Sequence, residues 1–336
     1  MRQEIDEIPQ AVARFLHSSR PALVEAGRLL RDRDPATLVT IARGSSDHAS
    51  AFLKYATELT AGIPVASIGP SVMSIYGRQL KLRHCAAVAI SQSGKSPDIL
   101  AMAQSARKSG AATIAITNTA DSPLAAAADV TINLDSGEEK SVAATKTFVA
   151  SVVAGLALLA HWQQDDGLMA AIEALPDLLQ QAIGCDWSPL MGALDQHESL
   201  YVLGRGPALA IANEAALKFK ETCSIHAESY SAAEVIHGPA RIVERHFPVL
   251  VLAARDAAEA SVAEVAERLA GQGARVFITS VNAQKAERLP FAASGNPITD
   301  ALALIVSFYG LVEALSRRRG FDPDRPPYLN KVTQTV

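Results

Sequence analysis

The sequence predicts an α/β protein of two tandem, doubly wound parallel-sheet domains, each a three-layer stack with helices on both sides of a sheet. Three observations lead there. Short, near-continuous apolar runs alternate with longer amphipathic runs, the pattern of parallel strands covered on both faces by helices. The alternation occurs twice along the chain. Landmarks of the first half also recur in the second at an almost constant offset.

In the first half, residues 38–42 read as a strand, followed by a Gly/Ser turn and a helix from about 47 to 59. Residues 86–90 read as a strand, followed by a Ser/Gly turn and a helix over 97–108. Residues 112–116 form the next strand. The pattern returns after about residue 185: a strand at 200–203, Gly204-Arg205-Gly206, and a helix to about 221. A strand at 248–252, a helix over 256–271 and a strand at 274–278 follow.

Arg43-Gly44 and Arg205-Gly206 each end the first strand of their half, 162 positions apart. Gly110-Ala111 and Gly273-Ala274 each precede a later strand, 163 positions apart. A duplication explains both offsets. The expected domains are 25–165 and 185–325, followed by a tail at 326–336 that lies over the active site.

The chain's 336 residues suit two domains of ordinary size. A hydrophobic content of 49% with few aromatics suits helices packed on a sheet. A net charge of −4 argues against a polyanion-binding surface, so no nucleic-acid partner is expected. Cys85, Cys185 and Cys223 lie far apart with no CxxC pair. Neither a disulfide framework nor a metal site is expected, and a reducing, cytoplasmic compartment is the simpler reading. The acidic, polar opening of residues 1–7 does not read as a secretory signal. The longest mainly apolar run, 148–160, is too short to span a bilayer and reads as a buried helix, so no membrane association is expected.

A doubly wound sheet binds ligands beyond the C-terminal ends of its strands. The loop Ser91-Gln92-Ser93-Gly94-Lys95-Ser96 falls there. It combines hydroxyls, a glycine that admits backbone amides, and a helix start whose N–H groups and dipole favour an anion. Small donors around a glycine suit a phosphate monoester; neither a Walker sequence nor GxGxxG is present to favour a nucleotide. Helix capping alone would also account for such serines. The second half decides for phosphate: its equivalent stretch, Ala254-Arg255-Asp256-Ala257, has lost the hydroxyls and the glycine, so the fold does not require them. The turn Arg43-Gly44-Ser45-Ser46-Asp47-His48 and the segment 138–146 add further hydroxyls.

In the second half, Glu214, Lys218 and Glu221 fall on one helical face. Spacing alone reads this as an exposed ion-pair face. His226 and His237 follow closely, the latter just before Gly238-Pro239. Moving a proton between sugar carbons needs a carboxylate, and ring opening needs a group titrating near neutrality, so Glu221 and His237 are the candidate pair. The C-terminal stretch 324–333 opens with Pro326-Pro327 and is not expected to be helical. Tyr328 and Leu329 could dock it over a site and deliver Lys331.

Taken in order, Gly44-Ser45-Ser46-Asp47-His48-Ala49, Ser91-Gln92-Ser93-Gly94, Val142-Ala143-Ala144-Thr145-Lys146, Gly204-Arg205-Gly206, the run 216–239 and Asn330-Lys331-Val332-Thr333 resemble the sugar isomerase (SIS) domain proteins. The likeness is strongest to the isomerase half of the glutamine–fructose-6-phosphate aminotransferases. It implies two SIS domains of flavodoxin-like, three-layer form and no cofactor. It implies that Ser45, Ser46, Ser91, Gln92, Ser93, Ser96, Val142, Ala144 and Thr145 contact a hexose 6-phosphate. Glu221 would move the proton between C1 and C2, Lys218 would stabilise the developing enolate-like charge, and Lys331 would meet the sugar carbonyl as an amine. His237 would assist ring opening from the partner subunit of a homodimer.

Two departures refine this. Ala144 stands where the family usually has a serine, removing one sugar contact. Lys95-Ser96-Pro97-Asp98 replaces the usual Glu-Thr after Ser-Gly and resembles the stand-alone hexosamine-6-phosphate deaminases, as does Lys331-Val332-Thr333. No glutaminase domain with its N-terminal cysteine is expected. The expected activity converts glucosamine 6-phosphate to fructose 6-phosphate and ammonia. Another phosphosugar isomerase, a fructosamine-phosphate deglycase and a non-catalytic sugar-phosphate sensor stay open.

Overall fold

A computed structural model of the chain describes residues 1–195 and 197–331. The chain divides into two compact units. The N-terminal unit comprises Glu7–Glu139, Lys146–Glu173 and the chain from Asn330; the C-terminal unit comprises Met1–Asp6, Lys140–Thr145 and Ala174–Leu329.

Along the chain, α1 (Arg2–Asp6) belongs to the C-terminal unit. The N-terminal unit then runs α2 (Ile8–Ser18), α3 (Arg20–Arg33), β1 (Thr37–Ile41), α4 (Ser45–Thr60), β2 (Val65–Ser67), α5 (Ser71–Ser74) and β3 (Cys85–Ile90). It continues with α6 (Pro97–Lys108), β4 (Ala112–Thr117), α7 (Pro123–Ala127), β5 (Val130–Asn133), α8 (Lys146–Gln163) and α9 (Asp166–Glu173). All its strands are parallel, in the order β2-β1-β3-β4-β5. Helices α3, α4 and α8 pack together on one side, α5, α6 and α7 on the other. Val39, Ile41, Ala87 and Ala89 of the sheet meet Ile99, Met102 and Ala106 of α6 in one continuous core. The apolar run 148–160 is the buried centre of α8, as its composition predicts.

The C-terminal unit repeats the scheme with α10 (Leu175–Ile183), α11 (Ser188–Leu194), β6 (Ser199–Gly204), α12 (Pro207–Cys223), β7 (His226–Ser231), α13 (Ala232–Val235) and a 3₁₀ turn at Pro239–Ile242. Then come β8 (Pro248–Val251), α14 (Glu259–Gly271), β9 (Arg275–Ile278), β10 (Glu287–Arg288) and α15 (Pro297–Arg318). Its parallel strands run β10-β9-β8-β6-β7, the same order read from the other edge. Helix α15 is long and apolar enough to cross a membrane, but 83% of its most apolar window is buried inside the protein, so it serves as a core helix.

The duplication is visible in the backbone. Gly44 has φ 56° and ψ −134°, Gly206 φ 60° and ψ −137°. Only glycine adopts this conformation readily, which fixes the residue at both strand-to-helix turns.

Candidate active site

In the N-terminal sheet the order reverses between β1 and β3, because β1 leads to β2 on one side and β3 to β4 on the other. The connections leave in opposite directions and open a crevice at the strand ends. Register pairs Ile41 with Ala89, so Arg43 and Ser91 leave the sheet side by side. A cavity of about 320 Å³ lies here, lined by Arg43, Gly44 and Ser46 from the first turn, Ser91, Gln92, Ser93 and Ser96 from the second, Ile90 and Ile99, and Lys331 from the tail.

The loop 91–96 is held from behind by its own sheet. Ser91 N–H donates to the Ile116 carbonyl at 3.1 Å and the Gln92 carbonyl accepts from Asn118 N–H at 3.0 Å. Gly94 N–H turns back to the Ser91 hydroxyl at 3.2 Å. Gly94 has φ 62°, and a Cβ there would lie 2.2 Å from the Ser122 hydroxyl, so both conformation and space demand glycine. Ser96 is the N-cap residue of α6, yet its side chain makes no capping hydrogen bond. Ser122, at the same position on α7, does cap, accepting from Ala125 N–H at 3.3 Å.

Two cations line the cavity, each backed by a buried carboxylate. Arg43 Nε donates to Asp98, whose side chain is fully buried. Lys331 Nζ donates to Glu139 at 2.8 Å. Glu139, also buried, accepts from the amide and hydroxyl of Thr147 at 3.1 and 2.6 Å. A buried carboxylate must be paired and hydrogen-bonded, so each clamp fixes its cation as well as satisfying itself. A second cavity, of about 350 Å³, shares Gln92 with the first; Asn118, Thr119, Asn133, Asp135, Glu138 and Glu139 help line it.

The C-terminal unit holds a different cluster. Glu214 and Lys218, on α12, are fully buried and bonded at 3.1 Å, and Lys218 also donates to Glu221, which keeps 21% side-chain exposure. The exposed ion-pair face that spacing suggests is therefore corrected: α12 packs against α15, β6 and β7, which cover this face. Burial opposes the charge on Lys218, but Glu214 and Glu221 outweigh it and hold the ammonium above the ordinary lysine range. His237 is exposed on this chain, between α13 and Gly238, with its amide bonded to the Glu234 carbonyl at 2.9 Å.

The SIS domain model matches residues 30–161 and 193–315, one match in each half of the chain. The chain belongs to the SIS domain family. This SIS protein is 32% identical over 352 residues to the glutamine–fructose-6-phosphate aminotransferase of Pyrobaculum aerophilum, covering 100% of this chain and 57% of that one. It is 33% identical over 358 residues to the Aeropyrum pernix aminotransferase, with the same coverage. It thus spans just over half the length of these relatives. Among solved structures it superposes with a TM-score of 0.94 on a Silicibacter pomeroyi protein provisionally described as a phosphosugar isomerase, at 54% identity, covering 96% of this chain and 99% of that one.

Of the residues expected from sequence, Ser46, Ser91, Gln92, Ser93, Ser96 and Lys331 meet around one SIS-domain cavity. Ser45 is not among its lining residues: it opens α4 one step before Ser46, and successive helical residues point about 100° apart. Val142, Ala144 and Thr145 do not line it either; their segment groups with the C-terminal unit, where the Val142 amide bonds the Asp324 carbonyl at 3.1 Å and Thr145 is fully buried. Glu221, Lys218 and His237 belong to the C-terminal unit. The tail delivers Lys331 without docking Tyr328 and Leu329, which are exposed; residues 332–336 lie outside the described residues. Sequence reasoning missed Arg43 in the cavity wall, and Asp98 and Glu139 as the buried carboxylates paired with its two cations. Their one signal was Arg43 and Asp98 each falling at a strand or helix end of the same sheet.

Proposed function

We propose that this SIS protein is a phosphosugar aldose–ketose isomerase that deaminates a hexosamine 6-phosphate, glucosamine 6-phosphate giving fructose 6-phosphate and ammonia. The observation that carries the reading is Ser96. It is an N-cap serine whose hydroxyl leaves its helix uncapped and lines a cavity with Ser46, Ser91, Ser93 and Lys331. Capping does not explain that hydroxyl; an anion at the start of α6 does. The deaminating direction rests on the Lys95-Ser96-Pro97-Asp98 form of the loop, which resembles the stand-alone hexosamine-6-phosphate deaminases.

The chemistry follows from the residues in named roles. Ser46, Ser91, Ser93 and Ser96 hold the phosphate. His237, supplied by the partner subunit of a homodimer, opens the ring. Glu221 takes the C2 proton of the open-chain amino aldehyde while Lys218 offsets the charge that develops on oxygen. Return of the proton at C1 leaves an imine at C2. Water adds to it, ammonia departs, and the ketone remains. Lys331 sits at the sugar carbonyl, held there by Glu139. The separated cysteines suit a reducing cytoplasm.

The second cavity favours one alternative, a fructosamine-phosphate deglycase. Its Asp135, Glu138 and Glu139 suit an amine larger than ammonia, bonded to the same sugar phosphate.

A coupled assay for ammonia across hexosamine 6-phosphates tests the proposal. Release from glucosamine 6-phosphate is expected, abolished in Glu221→Gln and restored by mixing Glu221→Gln with His237→Ala protomers. Purified protein that yields no ammonia from any hexosamine 6-phosphate defeats the deaminase reading. Release of an amine from fructosamine 6-phosphates alone would replace it with the deglycase.

A further inference from the structure

Phosphate monoesters carry a charge near −2 at neutral pH, with the second ionisation at about pH 6. The loop 91–96 offers hydroxyls and backbone amides, which bring no net charge, and its own cation, Lys95, is exposed and is not among the residues that line the cavity. The cavity wall has two cations, Lys331 and Arg43. Lys331 is tied to Glu139 and reserved for the sugar carbonyl in the reading above. The charge for the phosphate therefore falls to Arg43.

Its geometry suits that task. Arg43 follows β1 at the point where the sheet order reverses, level with Ser91. Its Nε is spent on Asp98, the second residue of α6, whose carboxylate is fully buried, while the Arg43 side chain keeps 45% exposure. A guanidinium is a planar fork of five N–H donors. With one edge fixed on Asp98, the Nη pair makes no hydrogen bond among the described residues, and the side chain stands in the wall beside Ser46, Ser93 and Ser96. A held fork of this kind matches two oxygens of a phosphate at once.

The second half supplies an independent control. Arg205 stands 162 positions later at the same turn. It is exposed and donates to the Ser261 hydroxyl at 3.3 Å, and among the described residues no buried carboxylate pairs with it. The clamp is present in the half that has the hydroxyl loop and missing in the half that lost it.

We infer that Arg43 binds the phosphate dianion directly and sets the cavity's selectivity for charge, with Asp98 as its positioning residue. The inference rests on the sugar-phosphate reading and deepens it.

Calorimetric titration with inorganic phosphate and with fructose 6-phosphate tests it on the intact chain. Arg43→Gln should weaken both by about ten- to a hundredfold, the range for losing a charge-assisted pair. Wild-type affinity should rise as pH passes upward through about 6, where the ligand gains its second charge. That rise, and the weakening by added salt, should flatten in Arg43→Gln. Arg43→Lys should restore part of the affinity, since it keeps the charge and loses the fork. Should Arg43→Gln not fold, Arg43→Gln/Asp98→Asn removes both charges of the clamp and should fold with the same loss of affinity. A folded variant of either kind that binds phosphate within twofold of wild type, with an unchanged pH profile, overturns the inference and leaves the sugar-phosphate reading standing. Wild-type protein that binds neither ligand overturns both.

Discussion

The loops after β3 and β8 occupy the same place in two copies of one fold, and they have opposite contents. Both copies share the strand order and the glycine turn at the end of their first strand. The loop after β3 keeps its hydroxyls around a cavity. The loop after β8 closes on itself: Arg255 stacks over Phe291 at 3.5 Å from the ring centre and donates to the Ala253 carbonyl. The architecture is thus indifferent to what the loop carries: hydroxyls in one copy, an arginine bonded within its own unit in the other. What the C-terminal copy carries instead is charge inside a helix pair, the Glu214–Lys218–Glu221 cluster. One copy opens a cavity at its strand ends, and the other keeps charges of its own buried.

The largest effect expected from breaking that division is in the C-terminal unit. Lys218→Met leaves Glu214 buried without its cation, a loss of about 3–5 kcal/mol. Denaturant unfolding should show it, and activity should vanish with it. The pH dependence has a definite sign. Glu214 and Glu221 hold the folded-state pKa of Lys218 above the ordinary lysine value. Its stabilisation is complete below the unfolded value and is lost as pH rises through the folded one. Stability should therefore drop above about pH 10.4 in the wild type, and Lys218→Met should lack this part of the drop. A Lys218→Met protein as stable as wild type would show that the cluster is hydrated and not buried.

Gly94→Ala comes next. It combines a positive φ with a Cβ 2.2 Å from the Ser122 hydroxyl. A cost of about 2–4 kcal/mol is expected from strain and overpacking, with phosphate binding lost because the loop must shift. Gly206→Ala in the other copy carries the same kind of strain, with the nearest atom 3.9 Å away. It should cost about 1–3 kcal/mol and leave phosphate affinity unchanged. Equal effects of the two on affinity, measured by titration, would dissolve the distinction between the loops.

The division between centre and edge also explains what the sequence could reveal. The strands β1, β3, β4, β6, β8 and β9 are all legible as apolar runs, because each has neighbours on both sides and helices on both faces. The four strands that escape notice, β2, β5, β7 and β10, are the four sheet edges. Strand β7 reads His-Ala-Glu-Ser-Tyr-Ser and β10 is the exposed pair Glu287–Arg288, so neither carries an apolar signal. The site divides the same way. Its hydroxyls are local in sequence and readable as a motif. Its clamps join residues 55 and 192 positions apart, Arg43 to Asp98 and Glu139 to Lys331, so only the folded sheet brings them together. The α12 cluster was legible in its membership and misread in its burial, because periodicity gives a face and says nothing of what covers it.

The smallest effect separates a binding serine from a capping one. Ser96 and Ser122 are both N-cap residues in the N-terminal unit, each followed by a proline. Ser122 caps α7, so Ser122→Ala should lower stability by about 1 kcal/mol, with phosphate affinity little changed. Ser96 caps nothing, so Ser96→Ala should leave the melting temperature where it is. What it should lose is one neutral donor to the phosphate, a weakening of about three- to tenfold by calorimetry. The reverse result, a less stable Ser96→Ala protein with intact affinity, would return that serine to ordinary helix capping and remove the observation on which the phosphate reading stands.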